Sequence, residues 1–70
     1  LDQSLAAIGE ARAAIAEASA AQTTARQQLD LYRSLSDPAA VSRAEVIRAE
    51  GEEAAATSRL GLARARLAAA

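Results

Sequence analysis

The sequence contains no Cys, His, Met, Phe or Trp, and its single aromatic residue is Tyr32. Without Cys and His, the chain cannot form disulfides and lacks the usual zinc ligands. It also lacks the thiol and imidazole groups on which many catalytic mechanisms depend. Without large aromatic side chains it cannot fill a thick globular core. These absences predict that the protein is not an enzyme and holds no cofactor or metal.

The chain also has no marked excess of either charge, because 8 basic residues balance 9 acidic ones and the net charge is −1. The two signs are interspersed, which gives no basic surface for nucleic acid or an anionic membrane. No apolar run approaches the roughly 20 residues that span a bilayer, and no signal-peptide pattern opens the chain. The chain starts at Leu1 rather than Met. We therefore expect it to be a fragment of a larger protein.

What is abundant is alanine, the residue that loses least on entering a helix, together with Arg, Glu, Gln and Leu. This composition is typical of long helices or a coiled coil. The one strong interruption is the segment 36–40 (Ser-Asp-Pro-Ala-Ala), which contains the only proline. We predict a first helix over about 2–35, a tip loop over about 36–41 and a second helix over about 42–69.

Two starts compete for the second helix. Ser42 followed by Glu45 is a capping box, in which each side chain satisfies a free backbone N–H near the other residue. Asp37 followed by Pro38 offers an earlier cap with proline at the first helical position. We favour Ser42 as the main cap, and the loop then has room for an extra turn.

Heptad periodicity predicts how the two helices face each other, because one apolar stripe runs along each helix at a spacing of seven residues. Folding the chain back near Ala39 matches large residues with small ones. The expected layers are Tyr32 with Val46, Leu29 with Ala49, Ala25 with Glu53, Gln22 with Ala56, Ala18 with Leu60, Ile15 with Ala63, Ala11 with Leu67, and Ile8 with Ala70. Leu1 and Ser4 continue the stripe. A shift of one or two residues also keeps the stripes facing, so the pattern predicts an all-α, two-helix antiparallel coiled-coil hairpin.

Polar residues interrupt this seam at Gln22 and Glu53, which lie in adjacent layers and can bond to each other or to water. We interpret them mainly as register control, with a hydrated functional spot as the alternative. Glu50, Glu52 and Glu53 form an acidic cluster. They point in different directions on a helix and Arg48 lies four residues from Glu52, so ion pairs explain the cluster better than a metal site.

Three sizeable apolar residues fall outside the seam: Leu31, Ile47 and Leu62. On a thin hairpin each outward face is a potential contact surface, and we interpret these residues as candidates for lateral packing in an assembly.

The predicted tip combines apolar and charged residues. Leu35 and Val41 flank the loop, and Arg33, Asp37 and Arg43 surround them. An apolar centre with a polar rim is typical of a protein contact patch. Capping of the hairpin core by Leu35 and Val41 explains the same pattern equally well.

The tip sequence also resembles a known family. The residues that carry the resemblance are 31–35 (Leu-Tyr-Arg-Ser-Leu), 41–45 (Val-Ser-Arg-Ala-Glu) and Ala49. Together with the heptads they resemble the α-helical hairpin of periplasmic adaptor proteins. These proteins, also called membrane fusion proteins of the HlyD-like family, belong to bacterial tripartite efflux pumps and type I secretion systems.

The resemblance implies a periplasmic homo-oligomer whose parent protein is anchored in the inner membrane. Such adaptors form a ring between an inner-membrane transporter and an outer-membrane channel of the TolC type, for export of a substrate. Family hairpins commonly dock through an Arg, Leu and Ser set at the tip. By position, the Leu corresponds to Leu35 and the Ser to Ser42, whereas Leu31 occupies the Arg position. Arg33 lies two residues further on. The alternative is a structural coiled-coil stalk or scaffold hairpin whose tip has no special role.

Overall fold

The computed structural model describes residues 2–35 and 41–69, with side chains from residue 4 onward. Within these residues the chain forms two α-helices and no strand: α1 spans Asp2–Ser34 and α2 spans Arg43–Ala69. The helices pack against each other along their length as a hairpin. The predicted all-α hairpin is thus confirmed, and the helix bounds lie within one residue of the predicted ones.

The start of α2 follows from the side chain of Ser42. The Glu45 N–H donates to Ser42 Oγ at 3.1 Å, and the Val46 N–H donates to the Ser42 carbonyl oxygen at 3.2 Å. Ser42 is therefore the N-cap of α2, as the capping-box pattern predicted. The competing start at Asp37 and Pro38 lies outside the described residues, as does the tip loop over 36–40.

The end of α1 is a tightened turn. The Leu35 N–H donates to the Tyr32 carbonyl oxygen at 3.4 Å, a bond that spans three residues instead of four. Ser34 Oγ donates to the Leu31 carbonyl oxygen at 2.8 Å. Both bonds occupy carbonyl groups that lose their helical partners where the helix stops. Leu35 is consequently the first residue after α1.

The core is a single thin seam between the helices. Among the residues whose side chains are described, all buried apolar ones occupy predicted seam positions: Ala11, Leu29, Ala49, Ala56, Leu60 and Ala63. The remaining predicted seam residues from Ile8 to Leu67 are half-buried. The heptad prediction of the facing stripes is therefore confirmed over this length, while Leu1 and Ala70 lie outside the described residues.

Ser4 continues the heptad spacing of α1 but lies beyond the last predicted layer, which pairs Ile8 with Ala70. Its side chain is exposed.

Alanine on at least one side of nearly every layer gives the molecule its slender form, with extents of 57 × 13 × 11 Å. The glycines of α2 do not contribute to this close approach. A Cβ atom built at Gly51 or Gly61 meets nothing within 4 Å.

The polar residues of α2 find separate partners. Glu53 is half-buried and accepts a hydrogen bond from Thr57 Oγ1 at 3.1 Å, within its own helix rather than from Gln22. Glu52 pairs with Arg48 at 3.8 Å, as predicted from their spacing. Glu50 pairs across the hairpin with Arg33. The three carboxylates of the acidic cluster thus point to three different partners.

Candidate functional site: the tip and a side groove

The described part of the tip places two apolar residues at the mouth of the loop. Leu35 follows α1 with 42% of its surface exposed, and Val41 is half-buried immediately before the cap Ser42. Because Leu35 keeps this exposure in the hairpin, packing between the helices does not fully bury its apolar surface. It remains accessible to another molecule.

Two of the three charged residues predicted around this apolar pair are among the described residues. Arg33 lies on the last turn of α1, and Arg43 is the exposed first residue of α2. Arg33 Nη2 lies 3.5 Å from Glu50 Oε2 on α2, with both side chains about half-exposed. One arginine of the rim is thereby held toward the opposite helix. Asp37, the predicted acidic member of the rim, lies outside the described residues.

The Ser42 hydroxyl accepts one hydrogen bond and still has a hydrogen to donate. Its oxygen accepts from the Glu45 N–H. A hydroxyl also carries one donor hydrogen, so the exposed Ser42 can donate to an acceptor on a partner without giving up its role as cap. Capping and docking are chemically compatible at this residue.

The three candidates for lateral packing lie on the outside of the hairpin. Leu31, Ile47 and Leu62 expose between 53% and 58% of their surface, which confirms that they fall outside the seam. They do not form one patch. By heptad position Leu31 and Leu62 lie on one side of the hairpin, whereas Ile47 lies on the other. The side that carries Leu62 also carries an extended concave surface.

This surface, which we call the side groove, consists of three cavities of about 580, 250 and 370 Å³. The first and second share Ala21 and Arg59, and the second and third share Ala14 and Arg66, so the cavities form one continuous groove. On the α1 side it is lined largely by small residues, chiefly Ala7, Ala11, Ala14, Ala18, Ala21 and Ala25. On the α2 side it is walled by a row of charged residues spaced by seven: Glu45, Glu52, Arg59 and Arg66.

Sequence reasoning did not identify the side groove. The signal was present in the same heptads: the position of α1 beside the seam is alanine at three successive repeats, Ala7, Ala14 and Ala21. In a two-stranded coiled coil this position normally carries a long polar side chain that covers the seam. Alanine there leaves the seam open on one side.

Within the part of the chain that the structure describes, no group of His, Cys, Asp or Glu residues is placed to hold a metal ion. Among those same residues, neither helix has an apolar stretch long enough to cross a membrane. Comparison with known proteins gives no match: no family model, no curated protein and no solved structure matches this chain. The surfaces of the hairpin are therefore the basis for inferring its function.

Proposed function

We propose that this hairpin is a protein-contact element whose tip docks onto another protein, as the hairpin of a periplasmic adaptor does. In this proposal it links an inner-membrane transporter to an outer-membrane channel of the TolC type and packs laterally against further copies in a ring. The parent protein would be a membrane-anchored component of an efflux pump or type I secretion system.

The observation that carries the proposal is the exposed Leu35 at the end of α1, next to Ser42 and Arg43 at the start of α2. An apolar residue surrounded by polar and charged groups is the usual arrangement at a protein interface. The two helices hold this patch at the end of a rod about 57 Å long, so it can meet a partner at a distance from the rest of the protein. The resemblance of residues 31–35 and 41–45 to adaptor hairpins supports the same conclusion.

The charge at this tip differs in position from that of the resembling hairpins. Leu31 stands where they carry arginine, and Arg33 is paired with Glu50. We infer that Arg43 supplies the positive charge of the docking patch, since it is exposed and follows Ser42 directly. The exposed Leu31 is then available for lateral contact.

Two substitutions in the parent protein test tip docking without disturbing the hairpin. Leu35→Arg places a charge in the apolar centre. Ser42→Asp keeps a good helix cap but replaces the donor hydroxyl with a carboxylate. We expect each to abolish cross-linking to the outer-membrane channel and to stop export, while circular dichroism of the hairpin remains unchanged.

Leu5→Arg is the matched control, because Leu5 is 70% exposed and lies at the opposite end of the hairpin. It should leave cross-linking and export intact. If both tip variants retain full cross-linking and export, tip docking is wrong. A structural stalk would instead lose function chiefly through seam substitutions such as Ile15→Ala and Leu60→Ala.

A further inference from the structure

We propose that the side groove is the binding surface for a second copy of this chain, which packs against it antiparallel about a two-fold axis. The α2 helices of the two copies then run side by side in opposite directions, and the α1 helices do the same, giving a four-helix bundle. This inference does not rest on the proposed function. The tips of the two copies point in opposite directions, so the pair is an association separate from the ring, in which all tips point toward the channel. The inference comes from the charged row along the groove and from the surface that the hairpin leaves exposed.

The charges of this row are complementary to those of a second copy of the row that runs in the opposite direction. Along α2 the row reads acid, acid, base, base: Glu45, Glu52, Arg59 and Arg66. Residues seven apart lie on the same face of a coiled-coil helix, about 10 Å from one to the next. With a two-fold axis passing between Ala55 and Ala56, each acid of one copy lies opposite a base of the other.

In this arrangement Glu45 faces Arg66 of the second copy and Glu52 faces Arg59, and the symmetry makes each pairing twice. In a parallel two-fold pair on the same face, α2 lies over α1 of the second copy, and the row no longer meets a second row. The antiparallel arrangement is the one that pairs each acid of the row with a base of the same row.

The charged row is available for such pairing. Glu45, Arg59 and Arg66 are exposed, and none of the ion pairs between described residues includes any of them. Glu52 is paired only within its own helix, at 3.8 Å from Arg48 with both side chains more than half exposed. That contact is weak enough to be exchanged for one with a second copy.

The small residues of the groove also suit the approach of a second copy. Ala14 and Ala21 form part of the α1 side of the groove and allow close approach of the second copy's α1. On α2, the same two-fold axis places the exposed Leu62 opposite Ala49 of the second copy, one residue along from Arg48. The aliphatic stem of that arginine can cover the leucine while its guanidinium group stays in water.

The exposed surface of the hairpin is large enough to supply such an interface. Its accessible surface is 5192 Å². A compact monomer of 7.2 kDa is expected to expose only about 4,100 Å². The excess, roughly 1,100 Å², is comparable to the area of about 800 Å² that each partner buries in a standard stable interface. Packing of two side grooves against each other removes surface on this scale.

The test uses the 70-residue chain in sedimentation equilibrium, from micromolar concentration up to about 1 mM. We expect the mass to rise from that of one chain to that of two. Glu52→Arg places arginine opposite Arg59 at two symmetric positions, and Arg59→Glu places glutamate opposite Glu52. Each single variant should weaken dimerisation by about tenfold or more at low salt.

A double variant and a mixture of the two single variants test the antiparallel arrangement specifically. The double variant Glu52→Arg/Arg59→Glu exchanges the charges and should recover the dimer. An equimolar mixture of the two single variants should also dimerise, because the new arginine of one chain then faces the new glutamate of the other. These rescues separate loss of the interface from loss of folding, since a chain that cannot fold is not rescued by mixing.

The matched control is Arg64→Glu, which makes the same change of charge on the flank that carries Glu50, away from the side groove. It should leave dimerisation within about twofold of the unmodified chain, since the residue lies outside the interface. A single-chain mass at all concentrations overturns the proposal. A dimer that the single variants leave unchanged also overturns it. So does a weakened dimer that neither the double variant nor the mixture restores.

Discussion

Arg33 of α1 and Glu50 of α2 join the two helices through an ion pair, with Arg33 Nη2 3.5 Å from Glu50 Oε2. It is the one ion pair between the helices among the described residues, and it lies one to two turns from the tip. Both side chains remain about half-exposed. The contact therefore orients a tip residue more than it stabilises the fold.

A double-mutant cycle measures this contact. With Arg33→Ala, Glu50→Ala and the double variant, we expect a coupling free energy below about 1 kcal/mol, because exposed ion pairs contribute little. The coupling should fall further as salt is raised to about 1 M. Urea unfolding followed by circular dichroism gives the four free energies of unfolding. The pair between Arg26 and Asp30 within α1 serves as the reference cycle. A coupling that does not respond to salt contradicts this account of the pair.

The seam predicts which leucines hold the hairpin together. Leu29 is 3% exposed at the interface of the helices, whereas Leu5 is 70% exposed. We expect Leu29→Ala to lower the free energy of unfolding by about 2 to 3 kcal/mol, near the lower end for buried leucines because a thin seam has few neighbours to lose. Leu5→Ala should change it by less than about 0.5 kcal/mol. Equal losses for the two variants, measured at the same protein concentration, would show that the seam is misplaced.

The cap of α2 makes a separate contribution to stability. Ser42→Ala removes the acceptor for the Glu45 N–H, and we expect a loss of about 1 kcal/mol together with fraying of the first turn of α2. Thermal unfolding and amide hydrogen exchange at Arg43 to Val46 measure the two effects. Ser58→Ala is the control, since Ser58 lies exposed in the middle of α2 and alanine is the better helix former there. The role of Ser42 as cap is wrong if exchange in the first turn is the same in both variants.

Much of this fold could be predicted from the sequence because each helix repeats one apolar position every seven residues. That period identified the buried seam residues from Ala11 to Ala63, and the spacing of Ser42 and Glu45 identified the cap of α2. Both features depend on residues that lie within a turn or two of each other. Ser4 follows the same period but lies outside the predicted layers, and its side chain is exposed.

The contacts that sequence reasoning did not find depend on the relative placement of the helices. The pairing of Arg33 with Glu50 requires the register between α1 and α2 to within about two residues, which facing apolar stripes alone leave open. The choice of Thr57 rather than Gln22 as partner of Glu53 depends on side-chain reach within one helix. The side groove depends on both helices, because the alanines of α1 and the arginines of α2 line it together.

The hairpin connection also sets the order in which the protein can fold. Near the tip, Leu29 and Ala49 are only 20 positions apart in the chain, whereas residues around Ala11 meet the far end of α2 more than 50 positions away. Closing a short loop costs less entropy than closing a long one. The helices should therefore dock first at the tip and zip toward the open end, so that substitutions near Leu29 slow folding while those near Ala11 mainly accelerate unfolding.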